Sequence, residues 1–249
     1  MRETRVLVLA GTSEARKLCE SLADRDGVEA IASLAGRTRE PMALPVETRV
    51  GGFGGAQGLA QYLRDARIDM VIDATHPFAV QISANAVAAC QAARKLRLSF
   101  GRDPWVARAG DVWSEAATLE AAAQALGTER KRVFLSHGRM GIAAFKARPE
   151  HAYVMRAVDA PEANDLPPDC KVILGRGPFR YDDELRLLAD EGIAIIVAKN
   201  GGGPGAKIDA ARALKIPVLM LKPPAPPAGD RVTSLEEALD WIDAHRAAP

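Results

Sequence analysis

Short apolar runs of four to seven residues alternate along this chain with stretches whose apolar positions recur every three or four residues. That alternation is the pattern of βαβ units, in which buried parallel strands are joined by amphipathic helices. In the first half the runs predict strands over residues 5–10, 29–34, 48–50, 70–74 and 98–101, with helices over 14–23, 55–66 and 78–95. A second series begins near residue 132. Its strands are expected over 133–136, 153–157, 172–174, 193–198 and 218–221, and its helices over 141–147, 182–191, 206–214 and 235–245.

An internal echo supports two halves. GDVWSEAATLEAAAQAL (110–126) and GDRVTSLEEALDWI (229–242) each carry Gly-Asp, a short extended piece, a hydroxyl at an N-cap and a Leu-Glu helix. In the later copy Ser234 and Glu237 have the spacing of a capping box. Each copy is expected to close its own half, which makes the polar GTERKR segment (127–132) the hinge. The expectation is therefore a first domain over 1–127 and a second over 128–249. The proline-dense KPPAPPAG (222–229) reads as a stiff surface connection.

With 249 residues, 48% hydrophobic and 26% charged, the chain can bury a full core. A net charge of +1 gives no field that argues for nucleic acid or membranes. No window is apolar enough to span a bilayer. A strand begins within five residues of the start, so no signal peptide is expected and the location is read as cytoplasmic. Cys19, Cys90 and Cys170 form neither a CxxC nor an even framework. No metal-ligand spacing and no nucleophile elbow is visible.

In doubly wound sheets, ligands bind at the carboxyl ends of the strands. At the first strand end, Gly11, Thr12 and Ser13 open a helix, where free backbone N–H groups suit a phosphate; simple helix capping is the competing reading. An NAD site usually has an acid at the second strand end. Here stand Gly36, Arg37, Thr38 and Arg39, which suit a 2′-phosphate and hence NADP. At the third, VGGFGGAQG packs Gly51, Gly52, Gly54, Gly55 and Gly58 into eight residues, with Phe53 expected to be exposed or to cover a ligand. The fourth, VIDATHPFAV, places Thr75 and His76 just past a strand and Pro77 at the expected first helical position. His76 could reach the nicotinamide end of a cofactor. In the second half, Ser136 to Arg139, Arg176 and the KNGGGPGAK loop carry cations that suit a polycarboxylate or phosphorylated ligand. Asp182, Asp183 and Glu184 read as first-turn helix acids.

The segments LAGTSEAR, GGFGGAQGL, VIDATHPFAVQISANA, GRGPF and AKNGGG…AK, spread in order from residue 6 to about 221, resemble the precorrin-6A reductase family of cobalamin biosynthesis. The resemblance implies an α/β fold with two Rossmann-like domains, mainly parallel sheets and an active-site cleft between them. It implies an oxidoreductase acting on a CH–CH bond, with NADPH as cofactor and a polycarboxylate tetrapyrrole, precorrin-6A, as partner. Transient contact with neighbouring pathway enzymes is compatible with it; nucleic acid, membrane and metal are not implied. The residues assigned to the cofactor are Gly11, Thr12, Ser13, Gly36, Arg37, Thr38, Arg39, Gly52, Phe53, Gly54, Thr75 and His76. Those assigned to the substrate are Arg139, Arg176, Lys199, Asn200, Gly201 and Lys207, with His76 and Lys199 as candidate catalytic groups. Pro204 and Gly205 depart from the bulkier residue expected before Lys207. Three alternatives stand beside this reading: a cobalt-precorrin-6A reductase, a non-catalytic two-lobed binder of anions, and a short-chain-type dehydrogenase. The last needs Tyr-x-x-x-Lys, which none of Tyr62, Tyr153 and Tyr181 provides.

Overall fold

The computed structural model describes residues 2–36 and 43–246. In chain order its elements are β1 (Thr4–Leu9), α1 (Ser13–Ala23), β2 (Val28–Leu34), β3 (Glu47–Val50), α2 (Gly55–Asp65), β4 (Met70–Asp73), α3 (Val80–Ala93), β5 (Leu96–Phe100), β6 (Trp113–Ala116) and α4 (Leu119–Ala125). There follow β7 (Arg132–Ser136), β8 (Ala152–Ala157), β9 (Cys170–Leu174), α5 (Tyr181–Asp190), β10 (Ile195–Lys199), α6 (Ala206–Ala213), β11 (Val218–Leu221), β12 (Asp230–Val232) and α7 (Leu235–His245).

The strands form two six-stranded sheets, ordered β12-β5-β4-β1-β2-β3 and β6-β11-β10-β7-β8-β9, and every pairing is parallel. Each order is the doubly wound one, in which the chain leaves a central strand in one direction and then crosses back to extend the sheet in the other. The switch point lies between β1 and β4 in the first sheet and between β7 and β10 in the second.

Burial on both faces explains why the strand runs are continuously apolar. Along β1, Val6 and Val8 join a cluster with Leu18, Leu22 and Ile242, whereas Leu7 and Leu9 join another with Leu59, Leu63 and Ala89. Successive side chains point to opposite faces, so one strand nails helices to both. In the second sheet Phe134, Val154 and Ile196 pack with Leu188, Ile208 and Ala211 of α5 and α6.

The expected division of the chain differs from the observed one. One compact unit is Met1–Asp103 with Pro224–Pro249; the other is Pro104–Pro223. The two echoing segments are equivalent elements, each supplying the sixth strand of a sheet, but they are exchanged. β6 lies on β11 in the second sheet, and β12 lies on β5 in the first. Ala238 and Ile242 of α7, wholly buried, complete the first core. Both segments are a short edge strand plus a capped amphipathic helix, so nothing local marks which sheet each joins. The capping box of α7 forms as its spacing predicts.

One helix start and one helix type differ as well. The helix expected from residue 78 begins at Val80, so Pro77 stands in the preceding turn rather than at the first helical position. Residues Ile142–Ala147 form a 3-10 helix, not an α-helix.

Candidate active site

At the carboxyl edge of the first sheet, the β1 and β4 loops are tied by one hydroxyl. Thr12 caps α1 by accepting from the Ala15 N–H at 3.1 Å, and it donates to the Ala74 carbonyl at 2.8 Å. Its only proton is thus committed, and an anion here would meet backbone N–H groups rather than the Thr12 side chain. Ser13 donates to Glu14 at 3.0 Å, and Glu14 pairs with Arg102 at 3.5 Å. Gly11 holds φ at +138°, where a side chain would be strained, although a Cβ there would meet nothing within 4 Å.

Asp73, the buried last residue of β4, organises the next loop. Its Oδ1 accepts from the Thr75 N–H at 3.2 Å and from the Thr75 hydroxyl at 2.7 Å. The Thr75 and Ser83 hydroxyls are 3.3 Å apart; with the Thr75 proton on Asp73, Ser83 is the donor. His76 Nδ1 accepts from the Phe78 N–H at 3.2 Å, so the neutral ring carries its proton on Nε2. The ring sits beside Phe78, with centroids 5.7 Å apart.

The glycine loop after β3 is stitched by Arg49. Its guanidinium donates to Ser33 Oγ at 2.7 Å, to the Gly51 carbonyl at 3.0 Å and to the Gly52 carbonyl at 3.1 Å. It also lies 3.8 Å from the Phe53 ring centroid, a cation–π contact. Phe53 packs on the core cluster of α2 and α3, beside Tyr62 at 5.2 Å, so it is roofed by Arg49 rather than exposed. Gly58 is required by packing, since a Cβ there would stand 1.7 Å from the Phe53 carbonyl. Gly52 is different. A Cβ there meets nothing within 4 Å and its φ is not left-handed, so nothing in the described chain requires a glycine. A bare backbone with open space above it fits a ligand that approaches closely.

At the carboxyl edge of the second sheet the chemistry changes sign. Arg156 near the end of β8 bonds Glu184 at 2.6 Å, and its guanidinium lies 3.5 Å from the Phe179 ring centroid. Glu184 is 1% exposed. All three acids stand in the first turn of α5 as expected, but only Glu184 turns inward, whereas Asp182 and Asp183 are exposed. Lys207 of α6 bonds the Ser136 hydroxyl at the end of β7 and stands 5.8 Å from the Trp105 ring. Burial, with the nearby Arg156 charge and against the pull of Glu184, lowers the Lys207 ammonium to about 8. On the opposite face His137 is buried and stacked on Phe145, with centroids 5.4 Å apart. Burial, then the Lys199 charge, lowers its imidazole to about 4, so it is neutral near pH 7.

Of the residues that the sequence assigned to the cofactor, Gly11, Thr12, Gly52, Phe53, Gly54, Thr75 and His76 stand in loops after β1, β3 and β4, Ser13 opens α1, and Gly36 follows β2. Arg37, Thr38 and Arg39 lie outside the described residues. Of the substrate set, Arg139, Arg176, Lys199, Asn200 and Gly201 follow or end β7, β9 and β10, and Lys207 is in the first turn of α6. Asn200 is committed inward: it accepts from the Trp105 N–H at 2.7 Å and donates to the Trp105 carbonyl at 2.9 Å. Sequence reasoning missed Arg49, Asp73, Arg156 and Glu184. The one available signal was Asp73, a charged residue ending an otherwise apolar strand. Burial raises all three cysteine thiols to about 11, which leaves them protonated and inert. Among the described residues no helix is long and apolar enough to cross a membrane.

Two doubly wound parallel sheets, one edged with glycine and hydroxyl turns and one with cations, define a doubly wound α/β protein, the class whose ligands bind at the carboxyl ends of the strands. The comparisons narrow this class. A family model described as precorrin-6x reductase CbiJ/CobK matches residues 5–243. A precorrin-6A reductase of Rhodobacter capsulatus is 48% identical over 248 residues, 99% of this chain and 98% of the relative. A solved structure, CobK precorrin-6A reductase, superposes with a TM-score of 0.94 at 47% identity, covering 99% of this chain and 98% of that one. A cobalt-precorrin-6A reductase of Methanothermobacter thermautotrophicus is 28% identical over 233 residues, 88% of this chain and 76% of the relative. The chain belongs to the precorrin-6x reductase family.

Proposed function

We propose that this protein reduces one double bond of the precorrin-6A macrocycle with NADPH, giving the dihydro ring, precorrin-6B. The observation that carries the reading is the 48% identity, along essentially the whole chain, to a protein named precorrin-6A reductase. The 28% identity to a cobalt-precorrin-6A reductase favours the metal-free substrate.

In this reading the first unit holds the dinucleotide. The turn at Gly11 and the open backbone at Gly52 are the surfaces it lies against, with the α1 N-terminus facing the pyrophosphate. Arg37 and Arg39 recognise the 2′-phosphate, and Arg37→Ala weakens NADPH by roughly 1–3 kcal/mol. NADPH supplies a hydride when bound. His76, its ring oriented by the Phe78 N–H, faces the reactive end. The second unit orients the ring through its carboxylate arms by way of Arg139, Arg176 and Lys207. Lys199 or His76 holds the proton that balances the hydride.

Incubating the purified protein with precorrin-6A and NADPH tests this. One NADPH oxidised per ring, with a matching change in the tetrapyrrole spectrum, is expected, and NADH should serve poorly. An unchanged spectrum with substrate that a known reductase consumes rejects the reading.

A further inference from the structure

We infer that Arg156, with Lys207 and Ser136, forms a seat for a single carboxylate arm of the tetrapyrrole, and that Glu184 is its positioning residue; this rests on the reductase reading.

The residues come from four elements but meet on one face of the second sheet. Ser136 ends β7, two residues past the core Phe134, and Arg156 lies two residues past the core Val154. The alternation of a strand therefore sends both toward α5 and α6. Lys207 and Glu184 approach from those helices. Glu184 turns inward with Leu188 one turn further on, while its neighbours Asp182 and Asp183 face solvent.

The charges in this cluster do not balance. Arg156 and Lys207 share one acid, Glu184, and among the described residues that acid pairs with Arg156 alone. The Arg156 side chain is 11% exposed and Glu184 2%. Two cations held this far from water around one carboxylate cost stability unless another anion joins them. The donors are also incompletely used. Of the five guanidinium N–H groups of Arg156, the bond to Glu184 takes one, and Lys207 gives one to Ser136. Two protein groups thus retain donors in the fork-plus-point arrangement that suits a carboxylate.

The seat is also rigid. Phe179 lies flat on the Arg156 guanidinium, and Phe134 stands 5.3 Å away. Gly175 and Gly177 flank the Phe179 ring, and a Cβ at either would stand in ordinary contact with it at 3.4 Å. Glu184 fixes the direction of the fork through Oε1, while its buried Oε2 has no hydrogen-bond partner. The acid therefore acts through Arg156 and by its charge on Lys207.

The test titrates precorrin-6A, without nicotinamide, into the full-length protein and follows quenching of tryptophan emission; Trp105 lies beside Lys207. Arg156→Gln and Lys207→Met are each expected to raise its Kd at least tenfold. Lys207→Arg should return it to within about threefold, and the NADPH Kd should not move. Circular dichroism verifies that each variant is folded. If Arg156→Gln unfolds, Lys207→Met and its arginine rescue decide alone. A folded Lys207→Met protein with wild-type affinity for precorrin-6A overturns the seat, even when the wild type reduces precorrin-6A normally. A wild type that binds the ring but cannot reduce it rejects the reductase reading and leaves the seat standing.

Discussion

The two sheets share one strand order and one switch point, yet their carboxyl edges are built from different chemistry. The first edge is built mainly from backbone and hydroxyl groups. Among the described residues its one buried acid, Asp73, is satisfied by the backbone and hydroxyl of Thr75, and its loops expose bare glycine backbone. The second edge buries charge, in the Arg156–Glu184 pair and the Lys207 ammonium against Ser136, beside a buried neutral His137. Topology therefore fixes where a ligand lies, and the residues at the strand ends decide which one. A backbone-lined edge suits a dinucleotide, whose phosphates take N–H groups. A cation-lined edge suits carboxylates.

The contrast is open to attack, first where the expected effect is largest. Glu184→Ala leaves Arg156 as an unpaired buried cation and should cost about 3–5 kcal/mol in chemical denaturation, whereas Arg156→Met with Glu184→Leu should recover most of it. A loss under about 1 kcal/mol for the single variant would mean that the second edge is not a buried-charge site.

The next largest effect lies in pH. His137 is held near 4 in the folded protein, below its ordinary 6.5. Between those values the unfolded chain binds a proton that the folded chain does not. Stability should therefore fall as pH drops through that window, by at most about 3 kcal/mol from this group, and be unaffected by it above. His137→Phe should flatten the slope of melting temperature against pH. The same slope in the variant would assign it to other groups.

On the first edge the effects are smaller. Asp73→Ala strands the Thr75 donors and should cost roughly 1–3 kcal/mol, while Asp73→Asn keeps an acceptor and should cost less. Equal losses would show that charge, not acceptance, is what Asp73 provides. Smallest of all, Gly52→Ala should shift stability by less than about 0.5 kcal/mol, because its Cβ meets nothing, and yet weaken NADPH. A destabilised variant with unchanged NADPH affinity would make Gly52 a structural glycine.

Much of this was legible in the sequence, and what was not has a physical cause. The continuous apolar runs gave the strands because burial on both faces leaves no room for polar alternation, and β11 falls on the residues expected. The glycine turns and cationic loops were visible because strand ends are where apolar runs stop. The exchange of β6 and β12 was hidden because pairing partners far apart in sequence leave no local mark. The buried role of Glu184 was hidden for a related reason: Asp182, Asp183 and Glu184 look alike at a helix start, and only the packing of α5 selects which turns inward. Arg49 and Arg156 sit within strands, where an arginine reads as an ordinary edge residue until its partners are known.

The division of labour between the edges is tested most directly by titrating NADPH and precorrin-6A separately against two variants. Gly11→Val places a side chain at φ +138° on the first edge. It should raise the NADPH Kd at least tenfold and leave precorrin-6A binding unchanged. The double variant Arg139→Ala/Arg176→Ala on the second edge should do the reverse. NADPH binding lost from the double variant, or kept in full by Gly11→Val, would contradict the account.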